Sequence, residues 1–335
     1  MLKRFLVCLL VLVLLFSTAG CTEKTAPTSD GRFTIVATVF PAYDFAREIA
    51  DGQANITLLI PPGTEIHGFE PTPQDIIRIQ NCDLLICNGG ESEAWLDEIL
   101  DGIDGEIPAV RMMDCVKTLE EETKEGMQSA PHEHSSEEHE HEHEHEHEHV
   151  HSDGEHEHEL EYDEHVWASP VNAALISEEI CRVLCEADSA NAVLYTENCA
   201  KFVSELGALD GEIREIVENA SCKTVIFADR FPVRYFVEEY GLDYYAAFPG
   251  CAEDTEPAAK TVAFLIDRVR EYKIPAVFYI EFSNEKMADI ICEDTGCDKL
   301  VFYSCQNISA DMFNLGITYL ELMNINADNL REALG

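Results

Sequence analysis

From residue 132 to residue 158 the chain carries eleven of its thirteen histidines, alternating with glutamate through the middle and with no lysine or arginine. A segment this polar buries too little apolar surface to offset the entropy lost on ordering, so it has no place in a core. Whatever folds must be built from the chain on either side. Imidazole is the commonest protein donor for borderline transition metals. Alternation with carboxylate therefore makes the tract a chelating tether, with His139, His141, His143, His145, His147, His149 and His151 at its centre. The competing reading is an acidic, solvated spacer, but glutamate alone would meet that need. Sites in such a tract are many, shallow and interchangeable, and near a true pocket they raise the local metal concentration. The specific site has to be sought elsewhere.

The flanks alternate between strand and helix signals. Before the tract, apolar runs at 33–39, 55–60, 83–89 and 108–113 read as strands, with helices opening at Pro41, near residue 73 and near residue 92. Beyond it, Pro170 opens a long helical stretch to about Asn219, broken near Asp188 and Ser189. Strands then return at 223–228, 243–248, 275–280 and 299–303, separated by helices near 232–240, 257–272 and 284–294 and followed by a closing helix over 309–330. Two α/β lobes bracketing a long helix are expected. About 300 residues remain after the leader, which suits two lobes better than one small core.

Lys3 and Arg4 precede an apolar run at 5–16 and small residues leading to Cys21, the layout of a secretory signal. The run is too short for a lasting membrane helix. Ala19-Gly20-Cys21 resembles a bacterial lipobox, although Thr18 stands where such boxes usually have leucine. By that resemblance Cys21 carries lipid and the protein is exported and anchored at the outer face of the cell membrane. The net charge of −43 falls only to about −32 without the eleven acids of the tract. That excludes nucleic acid and anionic membrane surfaces as partners and suits the gathering of cations. Setting Cys8 and Cys21 aside leaves eleven cysteines, an odd number with no C-x-x-C; most read as small core residues, with a disulfide or two possible.

In such sheets ligands bind beyond the carboxyl ends of the strands. The only histidines outside the tract fall at two such places. His67 sits in a proline-stiffened loop running from Pro61 to Pro71 after the second strand, and His165 sits just before Pro170. A lone loop histidine is more often satisfied by backbone than by metal. Two of them, in a chain with a metal tether, are candidates for one shared site.

Gly63-x-Glu65-x-His67-x-Phe69-Glu70-Pro71, Asp163-x-His165-x-Trp167-x-Ser169-Pro170, the intervening His/acid-rich loop, the long helix and the Tyr235-Phe236-x-x-x-Tyr240-Gly241-Leu242 stretch together resemble the zinc/manganese-binding solute-binding lipoproteins of bacterial ABC importers. The resemblance covers essentially the whole mature chain. It implies two lobes, each a four-stranded mainly parallel sheet flanked by helices, joined by one long rigid helix, with little hinge closure. The ion is held between the lobes and passed to a permease with its ATPase, and a monomer is expected. The matching segments are a signal peptide at 1–20, a flexible tether at 21–31, an N-terminal lobe at 32–118, a disordered His/Glu-rich loop at 119–161, the metal loop and linking helix at 162–220, and a C-terminal lobe at 221–335.

Carried over residue by residue, the resemblance makes His67 and His165 the first two metal ligands. A third, His or Glu, precedes the Tyr-Phe stretch, but residues 227–235 contain no histidine; Asp229 is the nearest coordinating side chain. The fourth, an aspartate after the last strand, is missing around Tyr303-Ser304-Cys305-Gln306, and Glu281 is the substitute by position, with Glu256 behind it. Glu65 and Glu70 are expected to orient His67 through its other ring nitrogen. Competing structural readings are an ion pair of Asp229 with Arg230 or Arg234 and a helix-starting role for Glu281. Two imidazoles and two carboxylates form a neutral N2O2 site with a dication, suited to Zn2+ and workable for Mn2+. A His-rich tether is what the zinc members of the resembled family carry, so the resemblance implies zinc, although the tether itself can also hold nickel or copper. A rival class is an exported zinc hydrolase, but the tract lacks the H-E-x-x-H spacing and no nucleophile elbow is present, so no enzyme activity is expected. A metal buffer or adhesin without a transport partner is the other alternative.

Overall fold

A computed structural model describes residues 31–66, 68–103, 105–128, 161–252 and 257–335. Residues 33–335 form a unit of their own. It opens with β1 (Phe33–Ala37), α1 (Phe40–Ala50), β2 (Ala54–Leu58), α2 (Pro73–Gln80), β3 (Leu84–Cys87), α3 (Ala94–Asp101) and β4 (Ala109–Arg111). The strands form a parallel sheet in the order β2-β1-β3-β4. All four residues of β3 are buried, as an apolar run covered by layers on both faces must be. Two helices follow, α4 (Pro170–Ala187) and α5 (Ala192–Asn219).

The second half repeats the plan with β5 (Thr224–Phe231), α6 (Arg234–Tyr240), β6 (Asp243–Pro249), α7 (Ala259–Tyr272), β7 (Ala276–Ile280), α8 (Lys286–Thr295) and β8 (Asp298–Phe302), then α9 (Ala310–Leu315) and α10 (Tyr319–Leu334). Its sheet is again parallel, in the order β6-β5-β7-β8. The chain is thus α/β with two four-stranded parallel sheets flanked by helices, as expected.

One helix serves both halves. The 28 residues of α5 extend about 42 Å, with Tyr195, Cys199, Phe202, Leu206, Leu209 and Ile213 buried at helical spacing. Near its start Asn198 Nδ2 donates to Ile49 O of α1 at 3.0 Å. Three turns on, Tyr240 OH of α6 donates to its Asp210 Oδ1 at 3.1 Å. A single apolar cluster runs from Phe45 through Trp167 to Phe227, Phe302 and Tyr319, so it contains the inner faces of both sheets. Each large side chain in it contributes about 1.5–3 kcal/mol by burial, so the lobes cannot swing apart without opening a core. The outer sheet faces carry smaller clusters, around Leu59 and Leu96 in one lobe and around Ile226 and Ile291 in the other.

The long helical stretch breaks near Asp188, as expected, into α4 and α5, and there Asp188 accepts from Asn191 Nδ2 and Tyr195 OH, each at 2.7 Å. Other boundaries differ from expectation for physical reasons. The closing helix is two helices. Gly316, at φ +76°, ends α9 in the left-handed conformation, and Thr318 with Glu321 forms a capping box that starts α10. Strand β5 runs three residues past its expected end. Its pairing with β6 slips between Phe227 and Arg230, a bulge that sets Asp229 in the irregular part of the strand. Residues 119–128, inside the span expected to form the His/Glu loop, lie along the fold: Asp163 N donates to Leu119 O at 2.9 Å, and Gln128 N donates to Ala247 O at 2.8 Å. The eleven described cysteines are all free thiols.

Candidate functional site

Both sheets change winding direction beside their first strand, and the crevice at such a switch point is where α/β sheets take ligands. In the first lobe the switch lies between β1 and β3, and Asn88, just past β3, donates from Nδ2 to Glu164 O at 2.9 Å. That bond fixes the 163–165 segment over the strand ends. The Glu164 carboxylate is held by Ser92 N at 3.0 Å and by Ser92 Oγ. It lies so close to Gly90 (φ +88°) that a Cβ there would fall 2.6 Å from Glu164 Oε1. From the other lobe Tyr235 OH donates to Asp163 O at 2.8 Å.

His165 is buried where these contacts converge, 1% exposed. Asp163 Oδ1, itself buried, accepts from His165 N at 2.8 Å and faces Nδ1 at 3.1 Å. Burial pushes the imidazole pKa down, but the Asp163 carboxylate, with Glu164 and Glu121 beyond it, pushes harder, and the net direction is up. Against the ring lies the turn after β6, where a Cβ on Gly250 would come 3.2 Å from His165 Cε1 and 2.9 Å from Phe231 O. Glycine permits this approach of the two lobes.

The loop after β2 is gripped from the second lobe. Asn307, 5% exposed, donates from Nδ2 to Pro61 O at 2.9 Å and to Thr64 O at 2.8 Å. Between this loop and the ends of β5, β7 and β8 lies a cavity of about 190 Å3 lined by Glu65, Arg230, Glu281, Ser304, Gln306 and Asn307. His67 belongs to this loop in sequence but lies outside the described residues, as do Glu256, Cys21 and the tract with His139 to His151.

The carboxylates singled out in the sequence sit as follows. Glu281 lines the interlobe cavity, and its oxygens accept from Ser304 N at 2.7 Å and Ser304 Oγ at 2.6 Å. Burial raises its pKa against those bonds. Asp229 lines a separate cavity of about 560 Å3 and accepts from Arg230 N at 2.8 Å and Ile280 N at 3.3 Å. Burial raises its pKa as well. Glu65 takes Arg230 Nη1 at 3.3 Å on one oxygen and Ile66 N at 3.1 Å on the other. Glu70 is exposed. Among the described residues no three His, Cys, Asp or Glu side chains form a group able to hold a metal. Burial pushes the thiols of Cys251 and Cys305 up, away from the thiolate that binds metal.

Two participants escape a reading of the sequence. Asn307 reaches across from beyond β8, and no local motif marks it. Arg230 is 9% exposed and reaches the interlobe cavity from the bulged end of β5. The absence of histidine from residues 227–235 was visible; the guanidinium in that region's cavity was not. Backbone conformation is also unusual here: Phe282 at φ +65° and Cys305 at φ +59° hold left-handed conformations directly after Glu281 and Ser304.

Comparison with known proteins agrees with this architecture. The chain is 28% identical over 334 residues to the zinc-binding lipoprotein AdcA of Streptococcus pneumoniae, spanning 98% of this chain but 61% of that protein. It is 28% identical over 313 residues to the high-affinity zinc uptake system protein ZnuA of Bacillus subtilis, covering 93% of this chain and 91% of that one. The crystal structure of the Zn(II)-bound ZnuA-like domain of S. pneumoniae AdcA superposes with a TM-score of 0.70 at 24% identity, over 91% of this chain and 99% of that domain. Residues 35–333 match the family described as zinc-uptake complex component A, periplasmic, and the chain belongs to that ZnuA family.

Proposed function

We propose that the chain captures Zn2+ in the crevice between its lobes and delivers it to an ABC permease at the outer face of the cell membrane, to which Cys21 anchors it through lipid. The observation that carries this reading is His165: a buried imidazole at the junction of the lobes whose Nδ1 is held by a buried carboxylate. A metal-bound histidine is commonly oriented this way, with ligation falling to Nε2. His67 supplies the second imidazole from the loop that Asn307 grips. Glu281 is the oxygen donor of the proposed set that lines the interlobe cavity itself, and it binds metal by releasing Ser304. Asp229 joins only by leaving Ile280 N. Of the acids assigned to orient His67, Glu65 is engaged by Arg230, which leaves Glu70 for that role. The His/Glu tract feeds the crevice with loosely held ions.

The zinc named in both relatives supports zinc as cargo, and the chain spans 61% of the length of AdcA. Manganese is the second reading, favoured by the lack of an imidazole in residues 227–235, since an oxygen-richer donor set suits Mn2+. Titration of the metal-free mature protein with Zn2+, alone and against Mn2+, tests both. One tight zinc ion and several weak ones are expected. Absence of any tight class sinks the proposal, and displacement of tight zinc by equimolar Mn2+ hands the site to manganese.

A further inference from the structure

The residues that flank the His/Glu tract pair with one another. Glu121 N donates to Glu161 O at 2.9 Å, Asp163 N donates to Leu119 O at 2.9 Å, and Glu120 bridges Tyr162 in antiparallel fashion. This pairing lays Glu121 beside the segment that carries His165. Its carboxylate reaches the turn after β6, where Oε1 accepts from Cys251 N at 3.4 Å, the long end of the hydrogen-bond range. The same turn packs on the imidazole, since a Cβ on Gly250 would stand 3.2 Å from His165 Cε1. Cε1 lies between the two ring nitrogens, so the turn and the carboxylate it holds stand by the nitrogen-bearing edge of the ring.

The surroundings of this acid ask for a cation. Burial first, then the charges of Asp163 and Glu161, raise its pKa, while the Cys251 bond and His165 oppose them. Its neighbour Glu122 pairs with Arg234 Nε at 3.4 Å, whereas Glu121 meets no lysine or arginine among the described residues. A half-buried carboxylate of this kind has lost hydration without gaining a counter-ion.

Resting on the zinc-capture reading, we infer that Glu121 is an oxygen ligand of the ion held by His165, exchanging its long bond from Cys251 N for the metal. The exchange is easier than the one asked of Glu281, which gives up bonds of 2.7 Å from Ser304 N and 2.6 Å from Ser304 Oγ. It also supplies an oxygen donor where residues 227–235 offer no imidazole.

Zinc titration of the full mature chain against a competing chelator, with Co2+ in place of zinc for visible spectroscopy, tests this on E121Q and E121D. The amide of E121Q still presents an oxygen to Cys251 N, so a role confined to that hydrogen bond leaves affinity and spectrum unchanged. Ligation predicts tight zinc weakened by about tenfold or more in E121Q, with altered Co2+ bands and an unchanged melting curve of the metal-free protein. E121D keeps the charge on a shorter side chain. It should fall between E121Q and wild type with Co2+ bands of its own, so misfolding of E121Q does not blunt the test. A smaller loss of affinity in E121Q, or Co2+ bands identical to wild type in either variant, overturns the inference and leaves zinc capture intact. Absence of tight zinc in the wild-type chain overturns both.

Discussion

Replacing Asp163 by asparagine perturbs the proposed site through one atom. Asp163 Oδ1 accepts from His165 N at 2.8 Å and faces Nδ1 at 3.1 Å, with both side chains buried. The amide oxygen can still accept, but the negative charge that favours an Nδ1–H and strengthens Nε2 as a donor is lost. Removing such an orienting carboxylate weakens metal binding about 10- to 100-fold, or about 1.4–2.7 kcal/mol. A charge-assisted hydrogen bond contributes a similar amount, about 1.5–3 kcal/mol. The same substitution reverses a pH dependence. In the metal-free protein the His165 pKa lies above its usual 6.5, so the folded state holds the extra proton; that stability is complete below 6.5 and lost as pH rises through the raised value. In D163N burial dominates, the ring stays neutral, and stability instead falls as pH drops through about 6.5. Zinc titration at neutral pH and urea unfolding of the metal-free forms from pH 5 to 8 measure both effects. Zinc affinity within twofold of wild type, together with unchanged slopes of stability against pH, would refute the reasoning.

Other perturbations follow from the same geometry. N307A removes donors to two loop carbonyls and should lower stability by about 1–3 kcal/mol, while weakening tight zinc binding by freeing the loop that carries His67; unchanged zinc affinity in a destabilised variant would separate the grip from the site. Asp44 lies buried beneath α10, and burial, outweighing Arg47 and the bond from Tyr319 N, raises its pKa from 3.8 to about 7. Its contribution is therefore present below 3.8 and lost as pH rises through about 7, so D44N should match wild type near pH 4 and exceed it by about 2–4 kcal/mol at pH 8. Equal urea midpoints at pH 8 would contradict this.

The sequence carried the lobes because their strands are buried on both faces and so read as unbroken apolar runs, as residues 84–87 do. The break at 188–191 was legible from its polar turn residues. The split at Gly316 was not, because apolar spacing continues across it and only the capping box of Thr318 and Glu321 reveals the restart. At the site, His165 was legible as one of two histidines outside the tract, standing before a Pro-started helix. Arg230 was not. Its position depends on a one-residue slip between β5 and β6, and neither strand's sequence marks which residue the bulge turns toward the cavity. Asn307 is a tertiary contact more than two hundred residues from the loop it holds, and local reasoning has no access to it.

His67 and His165 are proposed to bind one ion together. Zinc titration of the protein lacking residues 132–158, with each histidine replaced by alanine singly and then both together, tests it most directly. One tight ion should survive the deletion, each single replacement should weaken it at least a hundredfold, and the double replacement should add much less than the sum of the two. Tight binding unchanged by either replacement, or lost with the tract alone, would contradict the account.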